Sequence, residues 1–176
     1  MSLSKEHCIY TVGHSTRSID DFIAILKSVE IEMLIDVRRF PGSKKFPQFH
    51  QDALIKSLKQ NTIDYHYMEE LGGRRKMNPD SKNTVWRNAS FRAYADYMET
   101  EEFKKALADL KAIAVSQKTA IMCAEAVWWR CHRSMISDAL KAETWEVLHL
   151  MERDKITEHP YTQPAKIENG KLIYKA

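Results

Sequence analysis

The first forty residues constrain the fold most, because an apolar segment, an amphipathic segment and a second apolar segment follow one another closely. Residues 8–12 and 33–37 are short, rich in β-branched and other apolar side chains, and followed by turn residues, which predicts two strands. Residues 18–29 repeat apolar side chains at helical spacing after Ser18, a residue that caps helices well. This order predicts a βαβ unit, a parallel pair of strands joined by a right-handed crossover.

The rest of the chain continues the alternation. Helical spacing recurs at residues 52–60, 90–98, 101–116 and 134–140, and strand patterns occur at 64–68, 119–123 and 145–150. Asn169-Gly170 lies between two short apolar segments and predicts a C-terminal β-hairpin over residues 165–175. We therefore expect an α/β fold, a three-layer α/β/α arrangement with a mostly parallel central sheet. It forms one domain over residues 1–176, with a long surface loop at 69–89.

Composition excludes several classes of protein. The chain has 176 residues, of which 44% are hydrophobic and 29% charged, a balance typical of a globular domain and not of a disordered one. No stretch approaches the ~18 apolar residues of a membrane helix, and residues 1–10 lack a leader pattern, so we expect a cytoplasmic protein without a membrane partner. The three cysteines are an odd count, which favours reduced thiols over a disulfide framework.

The basic side chains are concentrated in one part of the sequence. Although the formal net charge is only +3, residues 38–92 hold twelve Lys or Arg against five Asp or Glu. Such a surplus attracts polyanions, so a noncatalytic nucleic-acid-binding module using this region is one alternative for the function. An ordinary solvated surface explains the surplus equally well.

Polar clusters follow four of the predicted strands, at the point where each strand ends. In open parallel sheets, ligands bind in the crevice outside the carboxyl ends of the strands. If these strands are parallel neighbours, the clusters share one rim of the sheet, and they are Gly13-His14-Ser15, Arg38-Arg39, Glu69-Glu70 and Cys123-Ala124-Glu125.

Residues 120–133 run from an apolar strand through a cysteine-bearing turn into a helix. Cys131, His132 and Arg133 fall at the helix start, where unpaired backbone N–H groups and arginines form anion sites. Cys123 is either a buried core residue or an activated thiolate, and Cys131 is the rival for the second role. Cysteine-type phosphatases and sulfurtransferases place a Cys, a loop and an Arg similarly, but the spacing and Glu125 argue against a phosphatase cradle.

Several separated motifs together resemble the DUF488 family of bacterial and archaeal proteins. The motifs are Tyr10-Thr-Val-Gly-His-Ser15, Asp36-Val-Arg-Arg-Phe-Pro-Gly-Ser43, Leu71-Gly-Gly73, Tyr94-Ala-Asp-Tyr-Met98, Cys123-Ala-Glu125 and Cys131-His-Arg133. The resemblance implies a single α/β domain and implies that these positions form the family's site. It implies no substrate, because the family name itself records an unknown function.

The leading hypothesis is an enzyme whose crevice binds a small phosphorylated molecule or nucleotide. The candidate catalytic residues are Cys123, Glu125, Cys131 and His14. The candidate anion-binding residues are Gly13, Ser15, Arg38, Arg39, Ser43, His132 and Arg133. We expect no cofactor; the weaker alternative is zinc held by Cys123, Cys131 and His132, with His14 as a fourth ligand.

Overall fold

The computed structural model describes residues 7–175; residues 1–6 and residue 176 lie outside the described part, and with them most of the segment on which the leader prediction rests. The strands are β1 Cys8–Gly13, β2 Met33–Asp36, β3 Asp64–Tyr67, β4 Thr119–Cys123, β5 Glu146–Glu152, β6 Lys155–Glu158, β7 Lys166–Glu168 and β8 Lys171–Ile173. The helices are α1 Ile19–Ser28, α2 Gln51–Gln60, α3 Ala89–Tyr97, α4 Glu101–Ser116 and α5 Arg133–Ala142.

Six strands form a central sheet in the order β3-β2-β4-β1-β5-β6. The first five are parallel and β6 is antiparallel to β5, so the mostly parallel sheet predicted from the sequence is confirmed. The expected direct pairing of β1 with β2 is wrong, because β4 lies between them and pairs with both. The burial of every residue of β4 favours this central position, where both faces of the strand are covered.

Helices cover both faces of the sheet and create two separate cores. On one face, Phe22 and Leu26 of α1 pack with Leu54 and Leu58 of α2. On the other face, side chains of three helices form the larger core, among them Tyr94 of α3, Leu107 and Leu110 of α4, and Met135 and Ile136 of α5. The result is the expected three-layer α/β/α arrangement, with the carboxyl ends of β1, β2, β3 and β4 at one rim.

Local chemistry explains where the elements begin and end. Ser18 caps α1, as its position predicts, by accepting a hydrogen bond from the Asp21 backbone N–H at 3.1 Å. The C-terminal hairpin of β7 and β8 is confirmed, and both of its turn residues, Asn169 and Gly170, have the positive φ angles that a tight hairpin turn uses.

Two parts of the chain have weaker local patterns. Residues 72–88, after a short 3-10 turn at Glu69–Leu71, contain neither helix nor strand. Strand β6 shows no strand pattern in the sequence, because all four of its residues are exposed at the sheet edge and only backbone pairing with β5 specifies it. None of the helices in residues 7–175 is long and apolar enough to cross a membrane.

Candidate functional site

A cavity of about 310 Å³ opens at the carboxyl ends of β2 and β4. Its floor includes the two cysteines of the 120–133 segment, and its rim carries arginines from three separate loops. The lining residues that the chemistry below uses are Arg39, Arg74, Cys123, Glu125, Arg130 and Cys131. The cavity therefore places thiols and an acid beside a basic entrance.

Cys123 and Cys131 form a close thiol pair. Cys123 is the last residue of β4 and Cys131 stands two residues before α5, yet their Sγ atoms lie 3.0 Å apart. Both side chains are buried, and both are free cysteines. The fold thus converts a sequence separation of eight residues into direct contact.

The two thiols have opposite pKa shifts. Burial raises the pKa of Cys123, but the hydrogen bond from Cys131, the charge of Arg133 and the backbone of Glu125 outweigh it and lower the pKa to about 7. The pKa of Cys131 is raised well above its ordinary value by burial and by the adjacent Cys123. Cys123 is therefore the residue that ionises, while Cys131 keeps its proton and donates it in the hydrogen bond.

Arg133 is a buried cation beside this pair. Its side chain is 1% exposed, and no carboxylate lies within ion-pair distance of it in residues 7–175. The guanidinium donates to the backbone oxygens of Glu125, at 3.1 Å, and Ala126, and to Thr11. Because a buried charge without compensation is costly, the Cys123 thiolate is the natural counter-ion.

The start of α5 also faces the thiols. The first residues of α5 have no side-chain cap, and the Arg133 backbone N–H instead points at the Cys131 sulfur at 3.4 Å. His132, at the N-cap, hydrogen-bonds the Val37 carbonyl through Nε2 at 2.9 Å. Burial lowers its pKa to about 4, so the ring is neutral near pH 7 and lines the cavity without adding charge.

The backbone of the Gly13-His14-Ser15 turn is hydrogen-bonded to the start of the loop that follows Cys123. The backbone N–H groups of His14 and Ser15 donate to the carbonyls of Cys123 and Ala124, at 3.0 and 2.9 Å, which extends the pairing of β1 with β4. The His14 ring stacks on Phe49, with centroids 4.4 Å apart, and is not among the side chains lining the cavity. Burial lowers its pKa to about 4. The structure thus brings the backbone of this turn to the site, but not the imidazole.

The guanidinium group of Arg39 is free to reach a ligand in the cavity to a much greater extent than that of Arg38. Arg38 is buried: Nε and Nη2 donate to the Asp36 carboxylate and Nη1 to the Phe49 carbonyl, so every guanidinium nitrogen has a partner inside the protein. Arg39 is partly exposed at the rim and pairs with Glu69 at 3.0 Å. Ser43 is engaged in its own turn, where its Oγ accepts from the Phe46 backbone N–H.

The zinc alternative finds no assembled ligand set in the described part of the chain. Within residues 7–175, no group of three or more His, Cys, Asp or Glu side chains is placed to hold a metal ion. The His132 Nε2 atom bonds the Val37 carbonyl, which leaves only Nδ1 for a metal. Zinc remains a prediction that elemental analysis of the purified protein tests.

Sequence reasoning missed two groups of residues. Arg74 and Arg130 reach the cavity from loops whose sequence carries no periodic signal, alongside the rings of Phe40, Phe91 and Tyr94. A buried polar network behind Arg133 was also missed, although polar residues within apolar elements mark it: Thr11, Asp138, His149 and His159.

The comparisons with known proteins agree with the motifs. A family model described as "Domain of unknown function DUF488" matches residues 18–140, a span that includes β2, β4, both cavity cysteines and Arg133. No curated protein and no solved structure matches the chain. Because the family model covers most of the sequence, the protein belongs to the DUF488 family.

Proposed function

We propose that this protein is a thiol-dependent enzyme that binds a phosphate-bearing substrate in the cavity. The Cys123 thiolate attacks an electrophilic atom of the substrate, so that a bond to sulfur forms as the bond to the leaving group breaks. The observation that carries the proposal is the grouping of Cys123, Cys131 and Arg133. Within residues 7–175 the buried Arg133 has no carboxylate at ion-pair distance, and the Sγ atoms of the two cysteines lie 3.0 Å apart. Stabilised thiolates of this kind are nucleophiles at neutral pH.

The rim of the cavity supports an anionic substrate. Arg74 and Arg130 are exposed, Arg39 is partly exposed, and all three line the cavity. Guanidinium groups bind phosphate oxygens through paired, charge-assisted hydrogen bonds. The Phe40 ring, 63% exposed beside the Arg74 guanidinium, offers an apolar face on which a nucleobase can stack.

Proton transfer falls to Glu125 in this proposal. Its side chain is exposed and lines the cavity, two residues from the nucleophile, so its carboxylate can accept the proton of the water that later hydrolyses the bond between Cys123 and the transferred group. The cavity-lining thiol of Cys131 stays protonated and holds the thiolate by its hydrogen bond. Arg38 has a structural role, since its bonds to Asp36 and Phe49 fix the loop that carries Arg39.

Turnover of a panel of nucleotides and phosphorylated metabolites tests the catalytic part. Cys123→Ser should abolish any turnover found, whereas Cys8→Ser should leave it unchanged. Cys8 is the matched control because it stands at the opposite end of β1 and burial raises its pKa to about 11. Full activity in Cys123→Ser would refute the thiol mechanism.

Binding of inorganic phosphate and of a nucleoside monophosphate, measured by calorimetry, tests the anion site. Arg74→Ala and Arg130→Ala should each weaken binding about tenfold, the effect of losing one charge-assisted hydrogen bond. Lys56→Ala, an exposed change on α2, is the control. Single-stranded DNA and RNA complete the panel: tight binding that falls steeply with salt and survives Cys123→Ser would support the nucleic-acid-binding alternative.

A further inference from the structure

A continuous series of hydrogen-bonded, buried side chains connects Asp138 of α5 with Arg133 at the start of the same helix. The series passes through His159, His149 of β5 and Thr11 of β1. Asp138 Oδ1 accepts from His159 Nε2 at 2.8 Å, and His159 Nδ1 contacts His149 Nε2, also at 2.8 Å. His149 Nδ1 contacts the Thr11 hydroxyl, whose oxygen accepts from Arg133 Nη1 at 3.3 Å. All five side chains are at most 1% exposed. Polar groups this deeply buried are expensive unless every one is satisfied.

Asp138, at one end of this series of hydrogen-bonded side chains, determines the direction of each hydrogen bond in the series. Besides His159, Asp138 accepts from the backbone N–H and hydroxyl of Thr162 and from the hydroxyl of Tyr174, a set of donors that suits a carboxylate. His159 therefore donates from Nε2, and in the neutral form of the ring its Nδ1 is an acceptor.

The donor and acceptor roles of His149 and Thr11 follow from those of His159. His149 donates from Nε2 to His159, so its Nδ1 accepts, and the Thr11 hydroxyl must donate to it. The lone pairs of the Thr11 oxygen are then free to accept from Arg133. Burial, His159 and Arg133 lower the pKa of His149 to about 2, which agrees with a neutral ring at this place.

The chain also holds the loop between the two cysteines. The Trp128 ring, in the 3-10 turn Trp128–Arg130, stacks on His149 with centroids 4.7 Å apart and planes only 5° from parallel. Arg133 grips the same loop by donating to the Glu125 and Ala126 carbonyls. The loop between the two cysteines thus contacts both His149 and Arg133, two members of the hydrogen-bonded network.

We propose that Asp138, His159, His149 and Thr11 are positioning residues that hold the Arg133 guanidinium against the Cys123 thiolate. The inference rests on the proposed role of Cys123 as a reactive thiol. None of the four touches the cavity, so they act through Arg133. A network that only stabilised the fold would not change the ionisation of Cys123.

The groups that act on the thiolate come from several elements. From the loop after β4 this is Glu125, and from the start of α5 and the residues before it they are Cys131 and Arg133. His149 of β5 faces Arg133 from the other side. The hydrogen-bonded path from Asp138 to Arg133 passes through Thr11, so Thr11 is the position at which to interrupt it.

Alkylation of Cys123 by iodoacetamide as a function of pH, followed by peptide mass spectrometry on the full chain, tests the proposal. Thr11→Val removes the shared hydroxyl at almost constant side-chain volume. The change should raise the pKa of the Cys123 thiol, as measured by alkylation, by about one unit, which slows the reaction at pH 7 about fivefold. Thr11→Ser should restore the wild-type curve. Thr119→Val, a fully buried threonine of the neighbouring strand β4, is the matched control and should leave it unchanged.

Histidine tautomers in the unaltered protein provide a second measurement that does not depend on a variant folding. Nitrogen NMR shifts should show His149 and His159 both protonated on Nε2 and bare on Nδ1. A proton on Nδ1 of His149 would overturn the proposal, as would a Thr11→Val alkylation curve that coincides with the wild type.

The pKa of Cys123 distinguishes a failure of the reactive-thiol proposal from a failure of the positioning proposal. An ordinary thiol pKa for Cys123 in the wild-type protein would remove the reactive thiol and, with it, the positioning role. A wild-type pKa near 7 that Thr11→Val does not move would overturn the positioning role alone.

Discussion

The α-carbon of Gly13 faces the backbone carbonyl of Glu125 so closely that a Cβ at position 13 would lie 1.7 Å from that oxygen. The contact is between two backbones, so no side-chain rotation can relieve it. It places the end of β1 directly under the loop that carries Cys123 and Glu125, and it explains why a residue without a side chain occupies this strand end.

Gly13→Ala should therefore displace the cysteine loop. We expect the free energy of unfolding to fall by about 1–3 kcal/mol, the usual cost of overpacking a tight site, and alkylation of Cys123 at pH 7 to slow. Urea denaturation measures the first effect. Gly42→Ala is the control, because its Cβ would meet only the His50 ring at 3.7 Å. Equal stability of the two variants would contradict the close approach.

Removing the Cys131 thiol, the hydrogen-bond donor beside Cys123, should change the pKa of Cys123. Cys131→Ala deletes the thiol that lowers the pKa of Cys123 and should raise that pKa above about 7. Cys131→Ser keeps a donor and should change it less. The pH dependence of Cys123 alkylation distinguishes the two, and identical curves for Cys131→Ala and the wild type would show that Arg133 and the Glu125 backbone stabilise the thiolate without Cys131.

The pair Asp36 and Arg38 should be important for stability, in contrast to the rim pair Arg39 and Glu69. Arg38→Met leaves the buried Asp36 carboxylate without its cation, which typically costs about 3–5 kcal/mol. Arg39→Met breaks a partly exposed pair and should cost less than about 1 kcal/mol. Chemical denaturation of both variants checks the contrast, which similar losses would contradict.

Acid should destabilise the fold through its buried imidazoles. The pKa values of His14 and His149 are lowered to about 4 and about 2, so below pH 6.5 the unfolded chain binds protons that the folded chain does not. Stability is thus intact above pH 6.5 and falls as the pH drops toward 4, by up to about 1.4 kcal/mol per pH unit for each ring.

Denaturation at a series of pH values measures that slope. His14→Gln should lower stability at pH 7, because the stacking on Phe49 is lost, but should make the slope between pH 6.5 and 4 shallower. His66→Gln, at an exposed position, is the control. An unchanged slope in His14→Gln would show that His14 does not contribute to acid lability.

The sequence by itself determined the local elements and their layer architecture. Helical spacing predicts α4 over its full length, Ser18 marks the start of α1, and Asn169-Gly170 marks the hairpin turn. These features follow from short-range chemistry, namely side-chain periodicity, capping and turn conformation, which a single sequence displays. The rim of polar clusters followed from the parallel sheet, because parallel neighbours end on the same side.

Only the tertiary structure decided which of those clusters meet. Strand order is a long-range property, and the insertion of β4 between β1 and β2 is what brings the Cys123 loop over Gly13. The stacking of the His14 ring on Phe49 is likewise a contact between residues far apart in the sequence. The contact of Cys123 with Cys131 and the ionisation that follows from it depend on burial and on distances of a few ångströms. A sequence shows which groups can ionise, but their partners and solvent exposure exist only once the chain is packed.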